Sequence, residues 1–146
     1  MMRPGIICVV TTVPLARHLL NARDLADRRY AERLDVSDLA RAARLSPAYF
    51  SREFARAFGE TPHRYLLTRR LERAAALLRT TDRSVADICM TVGLRSVGSF
   101  TTTFGRVYGL SPTAYRATYP PASDRARVPS CVLRAWGRPW TARPRA

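Results

Sequence analysis

The pattern of apolar positions predicts helices along most of the chain. Between about residues 18 and 119, apolar side chains recur at three- and four-residue spacings, and the two-residue alternation of a half-buried strand is nearly absent. The spacing predicts about seven helices, over 18–32, 36–43, 47–58, 62–79, 85–92, 97–108 and 112–118. The expected fold class is therefore all-α.

Capping residues stand where these helices are expected to begin and end. A Ser or Thr hydroxyl can accept a hydrogen bond from an orphan backbone N–H, and a following Pro tolerates the first helical position. Three such pairs occur, at Ser46-Pro47, Thr61-Pro62 and Ser111-Pro112. Two further starts have capping-box spacing, at Asp35-x-x-Asp38 and Ser84-x-x-Asp87. Gly59 and Gly109 are placed to end two helices.

The middle of the chain repeats itself. The positions Val36, Asp38, Leu39, Ala43 and Leu45 recur 49 residues later as Val85, Asp87, Ile88, Val92 and Leu94. From there the offset is 50, and Phe50, Phe54, Phe58, Gly59, Pro62 and Tyr65 recur as Phe100, Phe104, Tyr108, Gly109, Pro112 and Tyr115. The second copy therefore has one extra residue between Leu94 and Phe100.

Each copy has the layout of a helix-turn-helix, a motif whose second helix enters the major groove of DNA. A short capped helix is followed by a tight turn and by a longer helix with aromatic residues at i, i+4 and i+8. A helix pair with a turn can also be no more than a helix pair, but two copies in one basic chain favour the helix-turn-helix.

The predicted helix over 62–79 joins the two copies. It would span about 27 Å at 1.5 Å per residue, which can place two recognition helices near the ~34 Å repeat of B-DNA, in successive major grooves. The two aromatic stripes are expected to share one core with its apolar residues, Leu66, Leu67, Leu71, Ala74, Ala75, Leu77 and Leu78. Arg69, Arg70 and Arg73 are expected to face solvent or phosphates.

Charge adds a partner class to this picture. All 25 basic residues are Arg, against 11 acidic residues, and the net charge of +14 points to a polyanion, nucleic acid first and an anionic membrane second. Asp24, Asp27 and Asp35 lie among arginines on or beside the first predicted helix, and we interpret them as part of a solvated charged face.

No catalytic or metal-binding pattern stands out. Cys8, Cys89 and Cys131 are odd in number and widely spaced, and His18 and His63 have no ligand partner at metal-site spacing. No Gly-rich phosphate loop follows a strand, and no Ser, His and Asp occur in a recognisable frame. We therefore expect no enzyme activity, no metal and no cofactor.

The two ends differ from the middle. Residues 1–17 form an N-terminal extension whose apolar run, over 6–13, is far shorter than the roughly 20 residues of a membrane span. Residues 120–146 form a tail with five Pro, six Arg and one Asp, and it is either an inert solvated tail or an arm that touches phosphates. With unpaired cysteines and no membrane partner, the expected compartment is a reducing cytoplasm.

Two stretches carry a resemblance to a known family. LDVSDLARAARLSPAYFSREFARAFGETPHRYLLTRRLERAAALLR and SVADICMTVGLRSVGSFTTTFGRVYGLSPTAYR resemble the AraC/XylS family of bacterial transcription regulators, and FxxxFxxxYGxSPxxYR is close to a family signature. The resemblance covers about 100 of the 146 residues. It implies an AraC-type DNA-binding domain over 18–119, with helix-turn-helix units at about 36–58 and 85–108 and a linker helix over 62–79.

The resemblance also implies partners. Double-stranded DNA is the expected ligand, RNA polymerase is a further candidate partner, and we expect the chain to bind DNA as a monomer. Family members usually add a ligand-binding or dimerisation domain. The chain has no room for one, so it resembles either the short members without a small-molecule effector domain or a fragment.

The first recognition helix should read DNA with the face opposite its aromatic residues. Positions that contact bases in the family match Ala48, Ser51 and Arg52. The Arg52 guanidinium can bind the O6 and N7 atoms of guanine together; its alternatives are a phosphate clamp or an ion pair with Glu53 or a neighbouring helix. Arg56, one turn later, is expected to contact the DNA backbone.

The second recognition helix offers weaker readers. Its matching positions are Val97, Gly98, Thr101 and Thr102, where the family often has long polar side chains, including an Arg at the position of Thr102. A threonine can touch a thymine methyl or a phosphate but discriminates less than a bidentate pair. Gly98 either permits close approach of the backbone to DNA or marks the loss of a reading side chain. The expected phosphate contacts are Ser46, Arg56, Arg95, Ser96, Ser99 and Arg106.

Two other functions compete with sequence-specific regulation. One is a protein-interaction regulator that contacts RNA polymerase or another regulator. The other is non-specific binding to nucleic acid or an anionic membrane through the Arg-rich tail. Specific and non-specific DNA competitors, compared at one salt concentration, discriminate among the three.

The tail should add electrostatic affinity without sequence information. Removal of residues 122–146 deletes six Arg and one Asp, so the logarithmic salt dependence of DNA affinity should become shallower, by up to ~0.9 per lost phosphate contact. Preference for the specific site over random DNA should be kept. Titrations over a salt series measure both quantities. An unchanged slope would make the tail inert, and lost specificity would mean that it reads a groove.

Overall fold

The fold consists of seven α-helices in the part of the chain that the structure, a computed structural model, describes: residues 14–121. The helices are α1 (Leu15–Arg28), α2 (Val36–Ala42), α3 (Pro47–Phe58), α4 (Pro62–Thr80), α5 (Val85–Thr91), α6 (Val97–Tyr108) and α7 (Pro112–Ala117). No strand occurs within these residues, and the all-α prediction is confirmed. The apolar run over 6–13 and the tail from residue 122 onwards lie outside the described residues.

The first helix departs most from its predicted bounds. It was expected over 18–32, and it begins at Leu15 and ends at Arg28. Residues 30–33 are irregular and belong to the second of two compact units, whereas α1 belongs to the first. The local sequence pattern does not reveal this change of unit. None of the helices within 14–121 is long and apolar enough to cross a membrane.

Local capping fixes most of the other helix ends. At α2 both bonds of the capping box form: Asp38 N donates to Asp35 Oδ1 at 2.9 Å, and Asp35 N donates to Asp38 Oδ2 at 3.0 Å. The hydroxyls of Ser84, Thr61 and Ser111 also accept from backbone N–H groups three residues on. The Ser46 hydroxyl makes no such cap bond. Left-handed glycines end α3 and α6, with φ of 78° at Gly59 and 74° at Gly109.

The described chain divides into two compact units. Within residues 14–121, the first unit comprises 14–29 and 34–66, and the second comprises 30–33 and 67–121. The first thus holds α1, α2, α3 and the start of α4, and the second holds the rest of α4 with α5, α6 and α7. Each unit contains one helix-turn-helix.

The first unit is built around an aromatic cluster. Phe50 and Phe54 of α3 are fully buried, and the Phe54 ring lies 5.6 Å from that of Tyr65, centroid to centroid. The Tyr65 hydroxyl donates to both carboxylate oxygens of Asp27, at 2.9 and 3.1 Å. Asp27 is therefore a structural acceptor, and its interpretation as part of a solvated charged face was wrong.

The second unit repeats this cluster at the predicted offset. Phe100 and Phe104 of α6 are buried, and Phe104 lies 4.4 Å from Tyr108 and 5.3 Å from Tyr115. Burial raises the pKa of Tyr108 to about 12, which keeps its hydroxyl protonated to a higher pH than that of an ordinary tyrosine. Each aromatic stripe lies in the core of its own unit, whereas the sequence analysis expected the two stripes to share one core.

The turns between the helix pairs differ. Arg44, between α2 and α3, is exposed and has a φ of 56°, in the left-handed region. Its counterpart Gly93 has a φ of 82° and lies against backbone: a Cβ there would be 2.6 Å from the carbonyl oxygen of Ala31. Only the second turn therefore requires glycine for space as well as for conformation.

Truncation of the buried aromatic residues should be costly in both units. Phe54→Ala and Phe104→Ala should each lower the free energy of unfolding by about 3–5 kcal/mol, because each leaves a large cavity. Chemical denaturation measures the loss. Val107→Ala is the control, since this small α6 side chain is 58% exposed and should change stability by less than about 0.5 kcal/mol. Wild-type stability in either Phe variant would contradict the core assignment of that helix.

Two glycine substitutions should separate backbone strain from crowding. Gly109→Ala should cost about 1–2 kcal/mol, from the left-handed conformation alone, because nothing lies within 4 Å of its built Cβ. Gly93→Ala should cost clearly more, because the new methyl would meet the Ala31 backbone. Unfolding curves of the two variants give the difference. Equal losses would mean that the Ala31 backbone moves away from the new methyl group at no cost in stability.

Candidate nucleic-acid interface

The buried aromatic residues of α3 determine which of its residues reach solvent. Since Phe50 and Phe54 face the core, Ala48, Arg52 and Arg56 form an exposed stripe at four-residue spacing on another face. Ser51 is half-buried beside it, and Ser46 is exposed just before the helix. All five residues predicted to contact DNA from the first helix-turn-helix thus border one surface, while their contacts with DNA stay predictions.

Arg52 is free to reach a ligand. Glu53 lies 3.5 Å from Arg56 Nη1, and within residues 14–121 Arg52 has no hydrogen-bond or ion-pair partner. The ion pair with Glu53 that competed with base contact is therefore made by Arg56. Because the Arg56 side chain is 79% exposed, that pair is weak and leaves Arg56 able to turn towards a phosphate.

The α6 surface has the same geometry with smaller side chains. Val97, Gly98 and Thr102 are exposed and Thr101 is half-buried. The Thr102 hydroxyl donates to the carbonyl of Gly98 at 3.1 Å. Its proton is therefore used inside the helix, and its methyl remains to touch a base. A Cβ built at Gly98 finds nothing closer than Ser96 Oγ at 4.0 Å, so no packing within the described chain demands glycine there.

Three predicted phosphate contacts of the second unit, Arg95, Ser96 and Ser99, lie at the start of α6, and the fourth, Arg106, lies in its last turn. Ser96 Oγ accepts from Ser99 N at 3.2 Å, which caps the helix and leaves the Ser96 hydroxyl proton available. The side chains of Arg95, Ser99 and Arg106 are exposed. The partial positive charge of the helix start adds to Arg95, Ser96 and Ser99, so this end of α6 favours an anion.

The linker-helix arginines do not form the expected phosphate-facing row. Arg70 Nε donates to the carbonyl of Tyr30 at 2.7 Å, and Arg70 Nη2 donates to that of Glu32 at 2.9 Å. Arg69 Nη1 lies 2.8 Å from Glu72 Oε2. The expectation was wrong for Arg70, because its guanidinium binds backbone carbonyls distant in sequence.

Tyr49 is an exposed aromatic residue beside the predicted base-contacting positions, and it is absent from the contacts predicted from the sequence. Its ring is 40% exposed on α3, three positions before Arg52. The available signal was an aromatic residue outside the i, i+4, i+8 stripe. A tyrosine at this place can stack on a sugar or donate to a phosphate.

No cluster of metal ligands accompanies this surface in the described residues. Within the described part of the chain, no group of three His, Cys, Asp or Glu residues could hold a metal ion. Cys89 is buried, and burial raises the pKa of its thiol.

Sequence comparisons place the repeat in a known class. A family described as a helix-turn-helix domain matches residues 39–118. The melibiose operon regulatory protein of Escherichia coli K12 is 37% identical over 87 residues, which cover 60% of this chain and 29% of that protein. The probable transcriptional regulator LumQ of Photobacterium leiognathi is 31% identical over 90 residues, 62% of this chain and 36% of that protein. The chain thus spans about a third of the length of these relatives.

Solved structures with the same fold include a complex with DNA. The DNA-binding domain of AdpA, solved with a target DNA, has a TM-score of 0.64 at 36% identity, covering 81% of this chain and 98% of that one. An AraC-type DNA-binding-domain protein from Chromobacterium violaceum has a TM-score of 0.65 at 28% identity, covering 78% and 96%. Both likenesses extend over nearly the whole of the compared chain.

Proposed function

Because the chain belongs to the AraC family of DNA-binding, helix-turn-helix transcription regulators, we propose that it reads a specific duplex site with α3 and α6 in successive major grooves. The observation that carries this proposal is the repeated geometry of the two units. In each, an aromatic stripe is buried, and residues at the matching positions of another helix face are open to solvent. Regulation of transcription follows from where on the genome such a site lies.

We propose that the two recognition helices, α3 and α6, contribute unequally to base discrimination. Arg52 is exposed, without an intramolecular partner in the described residues, and able to make a bidentate contact with guanine. On α6 the matching face offers a valine, a glycine and two threonines, one of which donates its proton to its own helix. The first recognition helix therefore carries most of the base discrimination, and the second supplies mainly backbone contacts.

The wider properties of the protein follow as parts of the same proposal. One chain holds both recognition helices, so in this proposal it binds as a monomer and acts in the cytoplasm. The proposed role is regulatory and not enzymatic, with RNA polymerase as the partner through which bound protein changes transcription.

Selection of bound sequences from random duplex DNA tests the central proposal. The chain should enrich one site with two groups of preferred base pairs separated by about one helical turn, 10–10.5 base pairs. Specific and non-specific competitors are then compared at one salt concentration, because affinities at different salt concentrations are not comparable. Enrichment of no sequence would contradict specific readout and would favour binding by charge alone.

Arg52→Ala should cost about 1–3 kcal/mol on the selected site and relax preference at one or two base pairs. Thr101→Ala and Thr102→Ala should cost less, and mostly uniformly across sequences, because their side chains discriminate weakly. Binding to a panel of single base-pair changes measures each effect. Arg64→Ala is the matched control, since it removes the same charge from a side chain that is 79% exposed on α4.

The same panel can reverse this assignment. If Arg52→Ala lowers affinity equally for every sequence, Arg52 is a phosphate clamp. If Thr101→Ala also changes the preferred base, α6 is the principal reader.

A further inference from the structure

We propose that the 30–33 segment, which connects α1 to α2, positions the second recognition helix for base reading, and that Arg70 is the residue that holds this segment in place. The segment belongs to the second unit, although the helices before and after it belong to the first. This inference rests on the proposed reading of DNA by α6.

The linker helix α4 contacts both the backbone of the segment and the aromatic ring of Tyr30. Arg70 donates from Nε and Nη2 to the carbonyls of Tyr30 and Glu32, at 2.7 and 2.9 Å. The Arg73 guanidinium lies 5.5 Å from the centroid of the Tyr30 ring, and that ring packs against the core of the second unit. Hydrogen bonds from a charged donor are about twice as strong as neutral ones, so Arg70 is the principal anchor.

Burial strengthens this anchor. Desolvation lowers the pKa of Arg70, yet an arginine in a protein stays protonated. Its charge is therefore kept in a partly desolvated place where two carbonyl oxygens receive it. Removal of the guanidinium would leave both carbonyls without this donor.

The anchored segment touches the turn between α5 and α6. A Cβ at Gly93 would lie 2.6 Å from the carbonyl oxygen of Ala31 and 3.1 Å from its Cα, so the two backbones are in close contact. The turn itself is closed by Gly93 N donating to Met90 O at 3.1 Å and Leu94 N donating to Cys89 O at 3.0 Å.

The braced turn leads directly into the reading helix. Ser96, three residues after Gly93, is the N-cap of α6, and Val97 and Gly98 follow it. The connection around Gly93 sets where α6 begins. A displacement of Gly93 would therefore move the α6 side chains that would face DNA. The 30–33 segment thereby acts on base reading without itself touching DNA.

The first unit provides an internal contrast. At the position of Gly93 the first unit has Arg44, whose side chain is exposed. The first turn therefore faces solvent at the place where the second turn contacts the backbone of Ala31. Loss of Arg70 should accordingly affect only the second turn.

Hydrogen exchange in the free protein tests the brace without DNA. In Arg70→Ala, the amides of Gly93 and Leu94 should exchange about tenfold faster than in the wild type, the change produced by losing roughly 1.4 kcal/mol of local stability. The amides of Arg44 and Leu45, in the first turn, should keep their rates. Arg64→Ala, which removes an equal charge from the same helix, should change neither pair.

Binding to the selected duplex tests the effect on reading. The half-site read by α3 is the one whose base preference responds to Arg52→Ala, and the half-site read by α6 is the other one. Arg70→Ala should reduce discrimination in the α6 half by several-fold and leave the other half unchanged. Arg70→Lys should be intermediate, because an ammonium keeps the charge but cannot match the two-carbonyl geometry of the guanidinium.

Several results would overturn this inference. Unchanged exchange at Gly93 and Leu94 in folded Arg70→Ala would show that the segment does not brace the turn. Equal loss of discrimination in both halves would make Arg70 a general stabiliser. If Arg70→Ala does not fold, Arg70→Lys provides the same two comparisons. A wild-type chain that prefers no DNA sequence would refute the proposed function, and the exchange measurement would still decide whether Arg70 positions the turn.

Discussion

Burial of two phenylalanines one turn apart on a twelve-residue helix is the constraint on which the rest of the structure depends. Phe50 and Phe54 on α3, and Phe100 and Phe104 on α6, are each at most 2% exposed. Such a pair fixes the rotation of a helix about its axis, because exposing either ring to water costs a large part of a small domain's stability. Once that rotation is fixed, the residues two positions before each phenylalanine must face outwards. The candidate reading surface is thus a consequence of core packing.

The sequence predicted the parts of the fold that depend on short-range patterns. Apolar periodicity, capping residues and terminal glycines act within four or five residues, and all seven helices were located from them. The same holds for the exposed faces of α3 and α6, since the aromatic spacing specifies them. The end of α1 could not be predicted, because the chain leaves the helix after Arg28 to make contacts with residues about 40 and 60 positions later.

Charged residues were the least predictable, because their partners are distant in sequence. Asp27 and Arg70 both stand in runs that look like solvated faces, and both are structural: one accepts from the Tyr65 hydroxyl, and the other donates to backbone carbonyls. Arg52, which has no hydrogen-bond or ion-pair partner among the described residues, remains on the surface. The role of a charged side chain in this protein therefore depends on whether a hydrogen-bond partner from a distant part of the chain lies within its reach, which the local sequence pattern does not show.

The extra residue of the second repeat gives the second unit a charged group that the first unit lacks at the same place. Four residues separate α2 from α3 and five separate α5 from α6, and the change of offset between Leu94 and Ser96 makes Arg95 the inserted residue. It stands immediately before the N-cap of α6, exposed, at the positive end of the helix. A cation there adds no base recognition, but its attraction to a phosphate acts on any sequence. In the proposed function, the unit whose recognition helix discriminates bases less thus has one additional group suited to the DNA backbone. The insertion would shift the second copy of the motif towards backbone affinity, while Arg52 keeps most of the base discrimination in the first copy.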